Sequence, residues 1–270
     1  MSKSAKIALV TGASKGVGRG IAVGLAAAGW DVGVNYHQDR DGAQVTASAI
    51  GDLGRRAWLL HADVGRADQV RAMFQQLGDQ AESLDLMVNN AGVQNFAPLL
   101  ELKEDEWDRV IRTNLKGTFL CMQRAARLMR DRGGAIINIG SGANKVPFPS
   151  LSAYCASKGG IETLTRVAAV ELGRYGIRVN CVAPGCVEIE RTRQEDPDYA
   201  RTWSQLTPAG RIGQVEDVAD AVVFLGGEQA TFITGHTLPV DGGLWVQGPW
   251  PYDSQNVAHR DASRKHDAGE

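Results

Sequence analysis

Short runs of β-branched and aliphatic residues alternate along this chain with longer stretches whose apolar spacing is close to 3.6, and that alternation restricts the possible fold more than any other feature. The runs are Lys6–Thr11, Asp31–Tyr36, Arg56–His61, Leu84–Asn89, Gly134–Ile139, Ile177–Val182 and Thr237–Val240. Between them lie stretches of helical periodicity such as Val17–Gly29 and Gln69–Glu82. Parallel strands need a crossover long enough to hold a helix, so repeated strand-helix units predict an α/β fold with one doubly wound parallel sheet of about seven strands, covered by helices on both faces. The 270 residues, 43 % hydrophobic and 22 % charged, suffice for one large core, and no fixed-period repeat divides them. One domain is therefore expected over residues 1–248. Two segments break the rhythm. Residues 184–211, charge-rich and containing Pro197 and Pro208, read as a lid or substrate loop, and residues 249–270 read as a polar tail.

Charge excludes some functions. A formal net charge of −2 supplies no basic field for nucleic acid and no polybasic patch for a membrane. The start, Met1 to Lys6, runs into only a brief apolar segment, Ile7–Val10, too short for a signal peptide or a membrane span, so a cytoplasmic protein is expected. Cys121, Cys155, Cys181 and Cys186 lack C-x-x-C spacing and read as reduced packing residues; no metal site is expected.

The stretch Thr11-Gly12-Ala13-Ser14-Lys15-Gly16-Val17-Gly18 follows the first strand and opens the first helix. In that context glycines permit positive φ and close approach, and the helix N-terminal N–H groups can face a pyrophosphate, which makes this a Rossmann-type dinucleotide turn. The second strand ends Val34-Asn35-Tyr36-His37, without the acid that would bind the ribose hydroxyls of NAD. Lys15 adds a cation near the place of a 2′-phosphate. NADP is the expected cofactor at Tyr36 and Lys15, with NAD left open by Asp39 and Arg40 nearby.

Tyr154 and Lys158 are four residues apart in Ser152-Ala153-Tyr154-Cys155-Ala156-Ser157-Lys158. On a helix that puts a phenol and an ammonium on one face. A cation held ~4 Å from a phenolate at an effective dielectric of ~20 stabilises it by about 4 kcal/mol, enough to bring such a group into proton exchange near neutrality. In isolation the same spacing describes many solvated helix faces.

Motif order separates the two readings. The glycine turn, Asp63-Val64, Asn89-Asn90-Ala91-Gly92, Asn114, Ser141, Tyr154, Lys158 and Pro184-Gly185 occur in the sequence of the short-chain dehydrogenase/reductase family, which the chain resembles from Thr11 to about Gly243. The resemblance implies an NAD(P)-dependent oxidoreductase acting on a small molecule, with the catalytic tetrad Asn114, Ser141, Tyr154 and Lys158. It implies cofactor contacts from Gly12, Ser14, Lys15, Gly16, Val17, Gly18, Tyr36, Asp63, Val64, Asn90, Ala91, Gly92, Tyr154, Lys158, Pro184, Gly185 and Val187. A homotetramer built on long helices at Leu99–Arg130 and Ser152–Tyr175 is also implied. One departure is Ile189, which stands where many members have a threonine that bonds the nicotinamide carboxamide; the backbone of Val187 remains to serve there.

Within the family, Gly92-Val93-Gln94-Asn95 and Asn144-Lys145-Val146-Pro147-Phe148-Pro149 look most like the sugar (glucose) 1-dehydrogenase branch. Gln94, Asn144, Ser141 and Tyr154 are then the expected substrate contacts. The general framework is also similar to that of 3-oxoacyl-thioester reductases, the leading alternative within the enzyme class. A regulatory protein that binds a dinucleotide without catalysis is the competing class, and retention of Tyr154 and Lys158 speaks against it. Residues 245 to 252 are too aromatic for a solvated tail, so Trp245–Tyr252 is expected to pack over the substrate loop or to plug a subunit interface.

Overall fold

Each β-branched run becomes a strand in the computed structural model, which describes residues 5–246. The strands are β1 (Ile7–Val10), β2 (Asp31–Tyr36), β3 (Ala57–His61), β4 (Leu86–Asn89), β5 (Gly134–Ile139), β6 (Ile177–Pro184) and β7 (Thr237–Val240). They form one seven-stranded sheet in the order β3-β2-β1-β4-β5-β6-β7. Every neighbouring pair is parallel, with Leu9 opposite Gly33 on one side and Met87 on the other.

Side-chain alternation divides the core into two layers. Ala8, Val10, Leu86, Val88, Ile137 and Val182 face helices α1 (Gly16–Ala27), α2 (Arg40–Asp52) and α9 (Val215–Gly226). Ile7, Leu9, Met87, Ile136 and Val179 face α3 (Ala67–Gly78), α5 (Gly117–Met129) and α6 (Ser152–Leu172). Both faces are therefore apolar, which is why the strands read as nearly unbroken hydrophobic runs. Fully buried Leu, Ile and Val side chains such as Leu9, Val88 and Ile137 are each worth about 1.5–3 kcal/mol relative to exposure.

One long helix expected over Leu99–Arg130 is interrupted. Glu101 and Leu102 turn back onto the carbonyl of Pro98, and the helix α4 (Glu104–Ile111) starts only after the extended Lys103. Glu104, Asp105 and Glu106 then complement the positive end of its dipole. A wider π-helical turn at Arg112–Lys116 separates α4 from α5 and contains Asn114. The substrate loop also has its own structure. Helices α7 (Glu190–Glu195) and α8 (Tyr199–Leu206) are separated at Asp196, whose extended backbone precedes Pro197.

The chain runs from β1 outward to β3 and then returns to the other side of β1 at β4. The resulting crevice at the carboxyl ends of β1 and β4 is where a doubly wound sheet places its ligand. Among the described residues no helix is long and apolar enough to cross a membrane.

Candidate active site

Backbone geometry shapes the glycine turn. Gly12 has φ +62°, and a Cβ there would lie 2.9 Å from the Cα of Ala91. A Cβ on Gly18 would lie 2.2 Å from the carbonyl oxygen of Gly12. Any side chain at Gly18 would thus push the first turn of α1 out of the crevice. Asn90 binds the turn from β4: its Nδ2 donates to the carbonyls of Thr11 (2.9 Å) and Gly12 (3.1 Å), while Thr11 Oγ1 accepts from the backbone N–H groups of Asn90 and Ala91. Asn35 holds it from β2. Its Oδ1 accepts from Gly12 N–H at 3.1 Å and its Nδ2 donates to the carbonyls of Leu60 and Ala62. Asn35 was legible only as a polar residue inside an apolar run, and the same signal marks Asn138, which links Asn89 to Thr165 across the sheet.

The turn holds an anion from its own chain. Glu190, at the start of α7, accepts from Gly16 N–H (3.2 Å) and from Arg19 Nη1 (3.1 Å). Arg19 also donates to the carbonyl of Ser14 and to Thr46. These donors, facing a carboxylate at the N-terminus of α1, fit the phosphate chemistry of a dinucleotide. Val17 lies half-buried in the first turn of α1. Next to the turn, Tyr36 is half-buried at the end of β2, its ring 5.4 Å from that of His61. Lys15 and Arg40 are exposed. Asp39 caps α2, accepting from Gly42 N–H at 2.9 Å, so its charge is directed to the helix dipole. On the far side, Asp63 closes a turn by accepting from Gly65 N–H, and Val64 is buried.

The tetrad residues come from three elements at the end of the sheet. Lys158 and Tyr154 share one face of α6, with the ammonium 5.5 Å from the phenol ring centroid. Lys158 is only 4 % exposed; its Nζ donates to the carbonyl of Ile139 at 2.7 Å, and among the described residues no carboxylate pairs with it. Two of its three N–H donors remain for a ligand. Ser141, two residues beyond β5, caps the 3-10 turn Gly142–Asn144, its Oγ accepting from Ala143 N–H at 3.2 Å. With that lone pair occupied, its hydroxyl proton is free to donate elsewhere.

Asn114 is fully buried in the π-helical turn. Its side chain accepts from Val93 N–H (2.8 Å) and donates to Val93 O (2.9 Å) and to Ser157 Oγ (3.1 Å). Every hydrogen-bonding direction but one acceptor lone pair is used. The amide therefore ties the segment after β4 to α6, and its backbone carbonyl accepts from Thr118 Oγ1 at 2.7 Å and from the Gly117 N–H.

Asn144, expected at the substrate, turns its nitrogen to the carboxylate of Glu162, which also binds Lys145 at 2.9 Å. Its Oδ1 stays buried without a partner among the described residues, as do Asn95 Oδ1 and Trp245 Nε1. Gln94 lies at the cleft with its side chain half-buried. With its amide oriented so that the oxygen faces the guanidinium, Gln94 Oε1 accepts from Arg191 Nη1 (2.9 Å) and Nη2 (3.2 Å).

The roof of the cleft is the substrate loop. Gly185 N–H donates to Val240 O, and a Cβ on Gly185 would lie 2.8 Å from the Cα of Asp241, so the turn beginning at Pro184 is pressed against the end of β7. Cys186 O and Glu188 N–H pair with Gly213, which directs the N–H and C=O of the intervening Val187 away from that pairing. Ile189 packs its branched side chain on Gly16, 3.6 Å from the position a Cβ would take there. Trp245 contacts Phe148 (ring centroids 5.1 Å) and Trp203 of α8 (6.4 Å), so the aromatic segment does meet the substrate loop at this residue; residues 247 to 252 lie outside the described residues. Burial pushes the Cys121 thiol up to about 12 and those of Cys181 and Cys186 to about 11, so all three are protonated at neutral pH. Among the described residues no group of three or more His, Cys, Asp or Glu is placed to hold a metal ion.

The family model for Enoyl-(Acyl carrier protein) reductase matches residues 12–245. A 3-oxoacyl-[acyl-carrier-protein] reductase of Staphylococcus aureus is 42 % identical over 245 residues, covering 90 % of this chain and 100 % of its own. Two solved structures superpose closely. The acetoin dehydrogenase of Enterobacter cloacae has TM-score 0.85 at 34 % identity, covering 93 % of this chain and 100 % of that one. A gluconate 5-dehydrogenase of Burkholderia cenocepacia, in complex with NADP and tartrate, has TM-score 0.84 at 37 % identity, covering 90 % and 96 %. The chain belongs to the short-chain dehydrogenase/reductase family. It is an NAD(P)-dependent oxidoreductase.

Proposed function

We propose that this enzyme moves a hydride between a nicotinamide dinucleotide and a secondary alcohol or its carbonyl on a polar, sugar-like substrate, with Tyr154 as general acid and base. The observation that carries the reading is the buried Lys158 ammonium, facing the Tyr154 ring at 5.5 Å with two N–H donors unspent. When bound, the nicotinamide supplies the hydride donor or acceptor. The chain's own residues manage the oxygen and its proton. Ser141 donates its hydroxyl proton as a hydrogen bond to the substrate oxygen and stabilises charge developing there. Tyr154 gives that oxygen its proton in reduction and removes it in oxidation. Lys158 holds the nicotinamide ribose and stabilises the phenolate by its charge. Asn114 fixes the Val93 backbone and the Ser157 hydroxyl and, through a water, links Lys158 to solvent.

The dinucleotide contacts fall to Gly12, Ser14, Lys15, Gly16, Val17 and Gly18 at the turn, Tyr36, Asp63 and Val64 at the adenosine end, Asn90, Ala91 and Gly92 below, and Pro184, Gly185 and Val187 at the nicotinamide. Cofactor phosphate takes the donors that Glu190 now occupies. NADP is the preferred form, since Lys15 and Arg40 are exposed and Asp39 is spent as a helix cap. The unpaired Asn95 Oδ1, Asn144 Oδ1 and Trp245 Nε1 support a hydroxyl-bearing substrate, because a buried polar atom without a partner costs about 1–3 kcal/mol.

A homotetramer is supported by the groove between α5 and α6, lined by Phe119, Met122, Leu164 and Val167, with Val170 84 % exposed beside it. We place the protein in the cytoplasm. The staphylococcal relative favours a second reading, reduction of a 3-oxoacyl thioester. Absorbance of the reduced nicotinamide with keto-sugars, sugars and acetoacetyl thioesters separates the two. Tyr154→Phe should lower turnover of the preferred substrate at least about 10²-fold with cofactor affinity retained, and a variant keeping a tenth of the rate would refute the assignment.

A further inference from the structure

Arginines of the substrate loop are paired, with one exception. Arg193 meets Glu188 at 3.0 Å, Arg201 meets Asp198 at 3.1 Å, and Arg211 forks onto Asp217 at 2.7 Å. Arg191 approaches Glu195 only through Nε, at 3.8 Å, beyond hydrogen-bond range. Its two Nη groups, the forked edge of the guanidinium, converge on the neutral carboxamide oxygen of Gln94. That edge bears charge without an anionic partner among the described residues, on a side chain 46 % exposed.

The fork meets the segment that follows β4. Gln94 follows β4 by a few residues, beside Asn95 and the Val93 backbone that Asn114 grips. Tyr199 of α8 is within electrostatic reach of both Arg191 and Tyr154: burial pushes its phenol up, Cys186 adds to the rise, and Arg191 pulls the other way. Neutral Tyr199, neutral Gln94 and a guanidinium edge together make one end of the cleft receptive to an anion. Two parallel Nη donors match the two oxygens of a carboxylate, and an amide oxygen offers only one atom to both.

We propose that Arg191 is the specificity-determining residue of this enzyme and that it receives a carboxylate, displacing Gln94, so that the substrate is a hydroxy or oxo acid with its carboxylate a few bonds from the reacting carbon. The proposal rests on the hydride-transfer reading above and narrows its substrate from polyols to polyhydroxy acids.

The experiment has an equilibrium arm and a kinetic arm. The cofactor-loaded enzyme is titrated calorimetrically with tartrate and with its neutral diamide, in the wild type, Arg191→Gln and Gln94→Leu. Tartrate should bind at least tenfold tighter than the diamide to the wild type. The ratio should fall to near one in Arg191→Gln, and should be kept or increased in Gln94→Leu, where the internal competitor is gone. In the kinetic arm, kcat/KM for an aldonate should exceed that for the alditol of equal length at least tenfold, and Arg191→Gln should collapse the ratio. Arg191→Lys, which keeps charge and loses the fork, should retain only part of it. Equal binding of tartrate and diamide to the wild type overturns the proposal, as does a ratio that survives Arg191→Gln. A phosphorylated polyol that outcompetes the aldonate through Arg191 also overturns it, by assigning the fork to phosphate. If no alcohol or carbonyl turns over, the hydride-transfer reading has failed, and the calorimetric ratio still decides Arg191.

Discussion

Replacing Lys158 with methionine isolates the electrostatic part of the proposed chemistry, because the two side chains have nearly the same length and differ in charge. Taking the 5.5 Å from Nζ to the Tyr154 ring as the charge separation, and an effective dielectric of ~20, the ammonium stabilises a full phenolate charge by about 3 kcal/mol. At 1.36 kcal/mol per decade, that is roughly a hundredfold in rate if most of the charge is present in the transition state. Loss of the ribose contacts adds a weaker cofactor affinity. Stability is expected to move the other way or hardly at all. Lys158 is a buried cation with one hydrogen bond and no carboxylate partner among the described residues, so removing it relieves a desolvation cost that offsets the about 1–3 kcal/mol of leaving the Ile139 carbonyl unpaired. The assays are steady-state kcat and KM, fluorescence titration of the reduced cofactor, and thermal unfolding. A Lys158→Met enzyme with kcat within about fivefold of wild type would refute the argument, since the Coulomb estimate cannot shrink to that level without placing the charge elsewhere. A variant that loses several kcal/mol of stability would instead make Lys158 a structural residue.

Lys15→Ala should abolish most of the preference for NADP over NAD in cofactor titrations; unchanged discrimination would transfer the reading of the 2′-phosphate to Arg40 or His37. Trp245→Ala removes aromatic contacts to Phe148 and Trp203 that are worth about 0.5–1.5 kcal/mol each, and it should raise KM several-fold with the oligomer intact; loss of the oligomer at constant KM would favour an interface plug. Asp31 is held below its ordinary carboxyl value of 3.8: burial opposes this, but hydrogen bonds from Arg56 and the charge of Arg55 outweigh it. With the folded value depressed, its contribution to stability is complete above the unfolded value and is lost as pH falls below 3.8. Asp31→Asn should therefore narrow the stability difference between neutral and acidic pH in urea unfolding, and an unaltered pH profile would show that the pair contributes nothing.

The strands were legible because burial on both faces makes them apolar runs, and a local pattern of that kind survives in one dimension. Ile7–Val10 and Gly134–Ile139 needed no partner to be recognised. The glycine turn was legible for a similar reason: a positive φ at Gly12 and a close approach at Gly18 are demands on single residues, met by one residue type. Helical spacing put Tyr154 and Lys158 on one face, and α6 carries them so. What sequence could not supply was set by contacts between distant segments. The widened turn at Arg112–Lys116 contains no proline or glycine, with Gly117 only at its end, and its Asn114 bonds Val93 and Ser157, which only the packed fold brings within reach. The sequence does not show that Glu162, eighteen residues away, occupies the nitrogen of Asn144 and leaves only its oxygen open. Glu190 and Arg191 are adjacent charges in the charge-rich segment 184–211. Tertiary structure turned one to the glycine turn and the other to Gln94, because the direction of a side chain on a short helix is fixed by what the helix rests on, and here that is the turn after β1 and the segment after β4, both far away in the chain.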